Sequence, residues 1–247
     1  MSIRAGLVAL LVCTTCVLPA VAAPVETFTI SVAKNNILKT VEGPILSLTE
    51  LFWPKASSPL EDLAGQTVQF DRSKFASPNL NSNRYGDLRG QLSLQGKGWL
   101  QRYWIKRGEA LWQGAGPYPA ELRQELLKAE ESARRNKKGI WQRQRVLDAE
   151  DLKVLSKQKG FQIVSGRIQS VRRVRGDTYL NFGGDWRRDF TAVISSKYKS
   201  KFKGTDWKPE SLENKLVRVR GRLRSYNGPY MELYFPEQVE FLNPKAD

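Results

Sequence analysis

Leu216-Val-Arg-Val-Arg-Gly-Arg-Leu-Arg-Ser-Tyr-Asn-Gly-Pro-Tyr-Met-Glu-Leu-Tyr-Phe235 is a pair of alternating runs joined by Asn227-Gly228. Side chains of a strand point to opposite faces in turn, so alternation of this kind reads as half-buried strand. Asn-Gly between two such runs is the strongest short hairpin signal, because both residues tolerate the positive φ of a tight hairpin turn. Val217, Val219 and Leu223, with Gly221, share one face and form the core side. Arg218, Arg220, Arg222 and Arg224 share the other. Upstream, Phe161 to Val174 reads as a long strand bent near Gly166, and Thr178 to Phe182 and Phe190 to Ser195 as two more. Lys197 to Glu213 is a loop or short helix inserted before the hairpin. Five strands with an insertion between the third and fourth describe a small closed barrel, and the OB-fold is the natural candidate.

The chain before this barrel has a different texture. Phe28 to Val32 alternates as a strand, Ile37-Leu38 and Ile45 to Leu48 flank a turn at Glu42-Gly43-Pro44, and Thr67 to Phe70 and Leu88 to Leu94 read as further strands. Trp99 to Arg107 has helical spacing and stops at Gly108. Pro119 to Lys138 is the clearest helix, with Leu122, Leu126, Ala129 and Ala133 on one face and Gly139 as its expected stop. Its basic last turn complements the helix dipole. The expected division is a signal segment at 1–22, a first domain at 23–147 and a basic second domain at 148–247, joined near Arg145 to Lys153.

Arg4, the uncharged and mostly apolar stretch from Ala5 to Leu18, Pro19 and the Ala20-Val21-Ala22 cleavage pattern together read as a secretory signal peptide. The apolar stretch is short for a bilayer span. An exported, periplasmic or secreted, soluble chain with no membrane span in its mature part is therefore expected. Cys13 and Cys16 are the only cysteines, and both fall in that segment. There is no histidine. Histidine bases, thiol nucleophiles and Cys/His metal sites are thereby excluded from the mature chain, and any metal would need oxygen ligands. Lys plus Arg number 40 against 25 Asp plus Glu, a formal charge of +15. The excess is concentrated between Lys153 and Arg224, with 19 basic and 6 acidic residues. A basic stretch on a folded domain is the footprint of a polyanion.

Three stretches carry a family resemblance. Asn83-Arg-Tyr-Gly-Asp-Leu-Arg-Gly-Gln-Leu92 resembles the "D-[RK]-[YH]-G-R-x-x-A" strand of the thermonuclease, or staphylococcal nuclease-like, family. Gly98-Trp-Leu-Gln101 through Gly108-Glu-Ala-Leu111 is similar to the helix that follows it there. Leu127-Lys-Ala-Glu-Glu-Ser-Ala-Arg-Arg-Asn-Lys-Lys-Gly-Ile-Trp141 is similar to the "A-E-x-x-A-[RK]-x-x-x-x-G-[IL]-W" helix, the most specific of the three. The resemblance spans roughly Thr27 to Gln142. It implies a first five-stranded OB-type barrel with helices, and a Ca²⁺-dependent phosphodiesterase as the ancestral chemistry. Val164 to Thr191, Val217 to Gly221 and Pro236 to Val239 resemble an OB-like C-terminal module that some exported bacterial proteins of this family carry. The expected fold class is then mainly β with α (α+β), two five-stranded OB-type barrels, the first with a long C-terminal helix.

The same resemblance sets out a site that this sequence does not fill. The family chemistry needs acids for the cation, a carboxylate to activate water and two arginines for the phosphate. Anchored on Pro54, the register puts Lys34 and Asn36 at the first two acids, Ser47 at the first arginine, Phe52 at the metal-binding acid and Lys55 at the general base. Asp87 stands at the second arginine. No catalytic residue and no metal or other cofactor is therefore expected, Ca²⁺ entering only if a rearranged site exists. Glu42, Glu50, Glu61, Asp62 and Asp71 are the carboxylates from which such a site would be drawn, and Arg84 and Arg89 flank the old phosphate strand.

Binding chemistry concentrates in the second domain. Single strands need a positive groove with exposed aromatics. Arg172, Arg173 and Arg175 end the first strand, Tyr179 and Phe182 lie on the second, and Trp186, Arg187 and Arg188 fill the next turn, with the four arginines of the fourth strand beyond. Asp185 and Asp189 are placed to neutralise some of these cations. The reading is an exported nucleic-acid or polyanion binding protein on a degenerate nuclease-like scaffold, a pseudoenzyme. Its alternatives are an active nuclease with a rearranged site and an envelope scaffold for an acidic polymer or protein.

Overall fold

The computed structural model describes residues 25–34, 37–54, 60–72, 82–114, 118–143 and 146–242. The expected signal segment with its two cysteines, Asn36 and Lys55 lie outside the described residues. The first half runs β1 (Glu26–Lys34), β2 (Ile37–Thr40), β3 (Ile45–Ser47), β4 (Leu51–Phe52), β5 (Thr67–Asp71), β6 (Gln91–Leu94), β7 (Gly98–Trp99), α1 (Leu100–Arg107), β8 (Leu111–Trp112) and α2 (Ala120–Arg135). The second runs β9 (Leu147–Asp148), α3 (Leu152–Leu155), β10 (Gly160–Arg167), β11 (Ser170–Val174), β12 (Asp177–Asn181), β13 (Thr191–Ile194), α4 (Pro209–Leu212), β14 (Leu216–Ser225), β15 (Pro229–Leu233) and β16 (Val239–Phe241). The fold is mainly β with a few helices, as the patterning and the resemblance led one to expect.

Both halves close in the same way. In the second, the sheet order is β11-β12-β13-β15-β14-β10-β9. β10 and β11 are consecutive in the chain yet lie towards opposite ends of that order, so one bent segment closes the sheet on itself. The break falls at 168–169, two residues beyond Gly166, where Ile168 N–H turns to the Lys215 carbonyl at 3.0 Å. β13 pairs with β15 in parallel, the other pairings of the closed ring being antiparallel. This is the pairing pattern of an OB-type barrel. In the first half the order is β3-β2-β1-β5-β6-β7. There a parallel bridge between Leu46 and Leu88 joins β3 to the segment that feeds β6. Leu88 N–H donates to the Ile45 carbonyl at 2.7 Å and Ser47 N–H to the Leu88 carbonyl at 2.8 Å.

Each barrel buries its own apolar set. Ile30, Leu38, Leu46, Val68, Phe70 and Leu92 are among those filling the first, with Leu100, Trp104 and Leu126 closing it from the helices. Val164, Leu180, Phe182, Val217, Val219 and Met231 are among those filling the second. A third cluster belongs to both halves: Leu111, Ala133 and Trp141 meet Ile163 of β10, with Phe52 and Phe161 packed against them. Separate sheets thus share an apolar seam.

One expected helix stop is different. α2 ends at Arg135 with Asn136 as its cap, not at Gly139. Gly139 (φ 51°) instead meets Gly108 (φ 70°), the left-handed cap of α1, and Ile140 N–H donates to the Gly108 carbonyl at 2.9 Å. A Cβ on Gly139 would sit 2.2 Å from the Gly108 oxygen, and one on Gly108 2.2 Å from the Lys138 oxygen. Two glycines of the resembling motifs therefore serve a single backbone crossing.

Candidate functional site

Among the described residues, Ser47, Phe52 and Asp87 at the positions that the resemblance assigns to catalysis are engaged in packing or in local hydrogen bonds. Ser47 is buried on β3, with its hydroxyl against Thr49. Phe52 is half-buried on β4, and its ring stacks on Phe161 of the second barrel with centroids 4.8 Å apart. Asp87 caps its own loop: Asn83 Nδ2 donates to it at 2.8 Å, and the Asp87 N–H donates back to Asn83 Oδ1 at 3.0 Å. Lys34 lies on β1, where the acid of the family's first motif would stand.

The remaining carboxylates do not converge. Glu42 accepts the Thr29 N–H, Glu61 and Asp62 are exposed on a short 3₁₀ turn, and Asp71 ends β5. Glu50 is buried beneath the site and closed off by hydrogen bonds. Its Oε1 accepts from Tyr118 Oη at 2.9 Å and from Gln101 Nε2 at 3.3 Å. Burial pushes its carboxyl up, against the pull of those donors and of the nearby Arg89 charge. Arg84 lies over the Tyr85 ring instead of reaching the site. Among the described residues no three acidic side chains gather in a way that would hold a metal. Phe52 offers no donor atom and Glu50 has no open approach, so these residues do not fit a bound Ca²⁺.

The arginine strand divides in two. All four side chains leave β14 on one face, as the alternation requires, but only two are fully exposed. Arg220 is 1% exposed. It lies between Glu130 of α2 (2.9 Å) and Glu240 of β16, and its Nη1 donates to the Trp112 carbonyl at 2.8 Å. Burial alone would lower its pKa, but the charges and hydrogen bonds of the two glutamates outweigh that and hold it above the ordinary arginine value. Glu130 also accepts the Trp112 N–H at 3.1 Å, and burial raises its carboxyl against the pull of Arg220. Arg218 is mostly covered and faces Glu240 at 3.3 Å and Glu131 at 3.8 Å. This corrects the expectation that the four arginines form one ligand face. Strand parity fixes the face, and α2 of the first half covers part of it. Arg222 and Arg224 are exposed.

The other expected binding residues occupy two places. Arg172, Arg173 and Arg175 are exposed along the β11–β12 hairpin, where Arg172 lies directly across from half-buried Tyr179. That face also carries Glu232, which, after burial, helps push Tyr230 up to about 12. Phe182 is core, tilted against Phe190 at 4.9 Å. Trp186, Arg187 and Arg188 are exposed on the turn between β12 and β13. Among the described residues Asp185 and Asp189 make no ion pair with them: Asp185 accepts the Arg187 N–H and Asp189 accepts the Asp185 N–H. Arg187, Arg188 and Arg224 line one cavity with Lys153 and Lys159. Those two lysines, and exposed Tyr226 beside the cavity, were missing from the site read in the sequence. Their signal was available: Lys153 lies on the short helix α3, Lys159 immediately precedes β10, and Tyr226 immediately precedes the Asn227-Gly228 turn.

Comparison with known families matches residues 46–143 to the model described as Staphylococcal nuclease homologue. A comparison with curated proteins gives no match. Among the described residues no helix is long and apolar enough to cross a membrane. The matched segment covers β3 to the end of α2 and the Trp141 turn, and it includes the positions now occupied by Ser47, Phe52 and Asp87. Residues 46–143 of this chain are a staphylococcal nuclease-like domain.

Proposed function

We propose that this is an exported nucleic-acid-binding protein, with its binding surface on the second barrel and no phosphodiesterase chemistry in the first. The reading is carried by Phe52. At the position where the family chemistry calls for a metal-binding acid, an aromatic ring is spent on holding the two barrels together. Hydrolysis of a phosphodiester needs an activated water in line with the leaving oxygen and cations on the phosphate. Ser47 and Asp87 supply neither clamp, and Glu50 is shut away from solvent. Loss of one such electrostatic contact typically costs about 10²–10³ in rate. The scaffold survives because catalytic groups are not what folds it. What remains is a basic second barrel with exposed arginines and an exposed tryptophan, which suits a nucleic-acid strand.

The test is purified mature chain with single-stranded DNA and RNA, in Ca²⁺, then Mg²⁺, then Mn²⁺. Salt-sensitive binding with intact substrate is expected. Cleavage that copurifies with the chain and disappears in Glu50→Gln or Asp71→Asn would establish the rearranged-nuclease alternative instead.

A further inference from the structure

One cavity of the second barrel is bounded by cations from three separate stretches. It measures about 420 Å³ and lies between α3 with its following loop (Lys153, Lys159), the β12–β13 turn (Arg187, Arg188) and the end of β14 (Arg224). No acidic residue lines it. Among the described residues none of these five cations has an ion-pair partner, unlike Arg218 and Arg220 on the same barrel. Cations facing one low-dielectric concavity repel one another, and the field they focus is relieved by an anion. The size is that of a small-ligand site.

The walls are held in place. Asp185 and Asp189 each accept one backbone N–H of their own turn. The hairpin tip presses against that turn: a Cβ on Gly228 (φ 99°) would sit 2.7 Å from the Arg188 oxygen, so only glycine allows the approach. Two exposed aromatics adjoin residues that line the cavity. Trp186, 56% exposed, adjoins Arg187, whose guanidinium lies 5.0 Å from its ring. Tyr226, 72% exposed, adjoins Ser225 of the cavity wall and is braced edge-on by Tyr230. Every base has a face on which such a ring stacks, but only an unpaired strand can present it.

We propose that this cavity seats a backbone phosphate of single-stranded nucleic acid while Trp186 and Tyr226 stack flanking bases. This rests on the reading of the chain as a nucleic-acid binder and specifies the form of the ligand. The experiment is anisotropy of labelled oligothymidylate and oligouridylate with the full mature chain, at low salt. The variants are Arg188→Ser with Arg224→Ser, Trp186→Ala, Tyr226→Ala and, as a control on α1, Lys106→Ser. Unfolding midpoints, expected to be unchanged at these exposed positions, guard against misfolding. The arginine pair should weaken binding by about tenfold or more. Each aromatic substitution should weaken it by about 5- to 150-fold. The control should change it little, and a duplex of the same length should be indifferent to Trp186→Ala. Oligonucleotide binding that ignores all three cavity variants would overturn this site and leave the nucleic-acid reading standing. Equal loss of oligonucleotide and acidic polysaccharide in the arginine pair, with no effect of the aromatics, would make it a general anion site and overturn base stacking. A wild-type chain that binds neither oligonucleotide would overturn both.

Discussion

The two ends of β14 carry the same residue at the same spacing on the same face, and they do different work. At its start Arg218 and Arg220 lie under α2 and β16 and are paired with Glu130, Glu131 and Glu240. At its end Arg222 and Arg224 stand in solvent. The difference lies in what the strand meets. β14 pairs with β16 at Val217–Val219 and with β15 at Leu223–Ser225, while β10 runs alongside most of its length. Arg220 lies across from Ile163 and Arg222 across from Phe161, both apolar contacts of the shared seam. Arg222 therefore marks the rim where the first domain stops covering the strand. A buried guanidinium with two carboxylates is a lock between barrels; an exposed one is available to a phosphate.

The largest effect that would break this contrast is on stability. Arg220→Ala leaves Glu130 and Glu240 facing each other without their shared cation, and removal of one member of a buried ionic network typically costs about 3–5 kcal/mol. Arg222→Ala and Arg224→Ala should each shift stability by no more than about 0.5 kcal/mol. Chemical denaturation of the three variants compares them directly, and equal effects would erase the distinction. Replacing all four arginines at once would confound unfolding with lost binding.

Next in size is Phe52→Asp, which returns an acid to the family's metal position. It removes the ring that stacks on Phe161 and sets a charge in an apolar seam, at a cost of about 1–3 kcal/mol. No cleavage should appear with Ca²⁺, because Ser47 and Asp87 still lack the phosphate clamps. Appearance of metal-dependent activity in this variant would show that a single substitution had silenced the site.

A smaller effect follows from Glu50. Burial raises its folded pKa above the unfolded value. Its contribution to stability is therefore complete below the unfolded pKa and is lost as pH rises through the raised folded one. Glu50→Gln keeps an acceptor for Tyr118 and Gln101 without the charge. The variant should gain on wild type as pH rises above the ordinary carboxylate range, because it has no buried carboxyl to ionise. Parallel stability curves would mean that the carboxyl is not as closed as its hydrogen bonds imply.

Much of the fold was legible in short-range chemistry. Asn227-Gly228 and the alternation around it gave the hairpin, observed with Ser225 paired to Pro229. The core parity of Val217, Val219 and Leu223 is the parity found. Leu126, Ala129 and Ala133 are the buried face of α2. The illegible part was what covers a face. Alternation says that Arg220 points away from its own core, but nothing in β14 says that Glu130, ninety residues earlier in the chain, will meet it. Similarly, Phe52 reads as a lost acid, while its stacking on Phe161 depends on how two barrels dock. Lys153 and Lys159 join Arg188 and Arg224 only through the closing of the barrel, so the cavity has no sequence motif.

The most direct test of this division is the salt dependence of binding to a labelled single strand of about twelve nucleotides, a length within the usual range of a barrel of this kind. Wild type should show a slope of log K against log salt of about −3.5, corresponding to about five neutralised phosphates on a single strand. The double variant Arg222→Ser with Arg224→Ser should show a slope shallower by about 1.4, with its unfolding midpoint unchanged. An unchanged slope, or a loss of stability comparable to that of Arg220→Ala, would contradict the account.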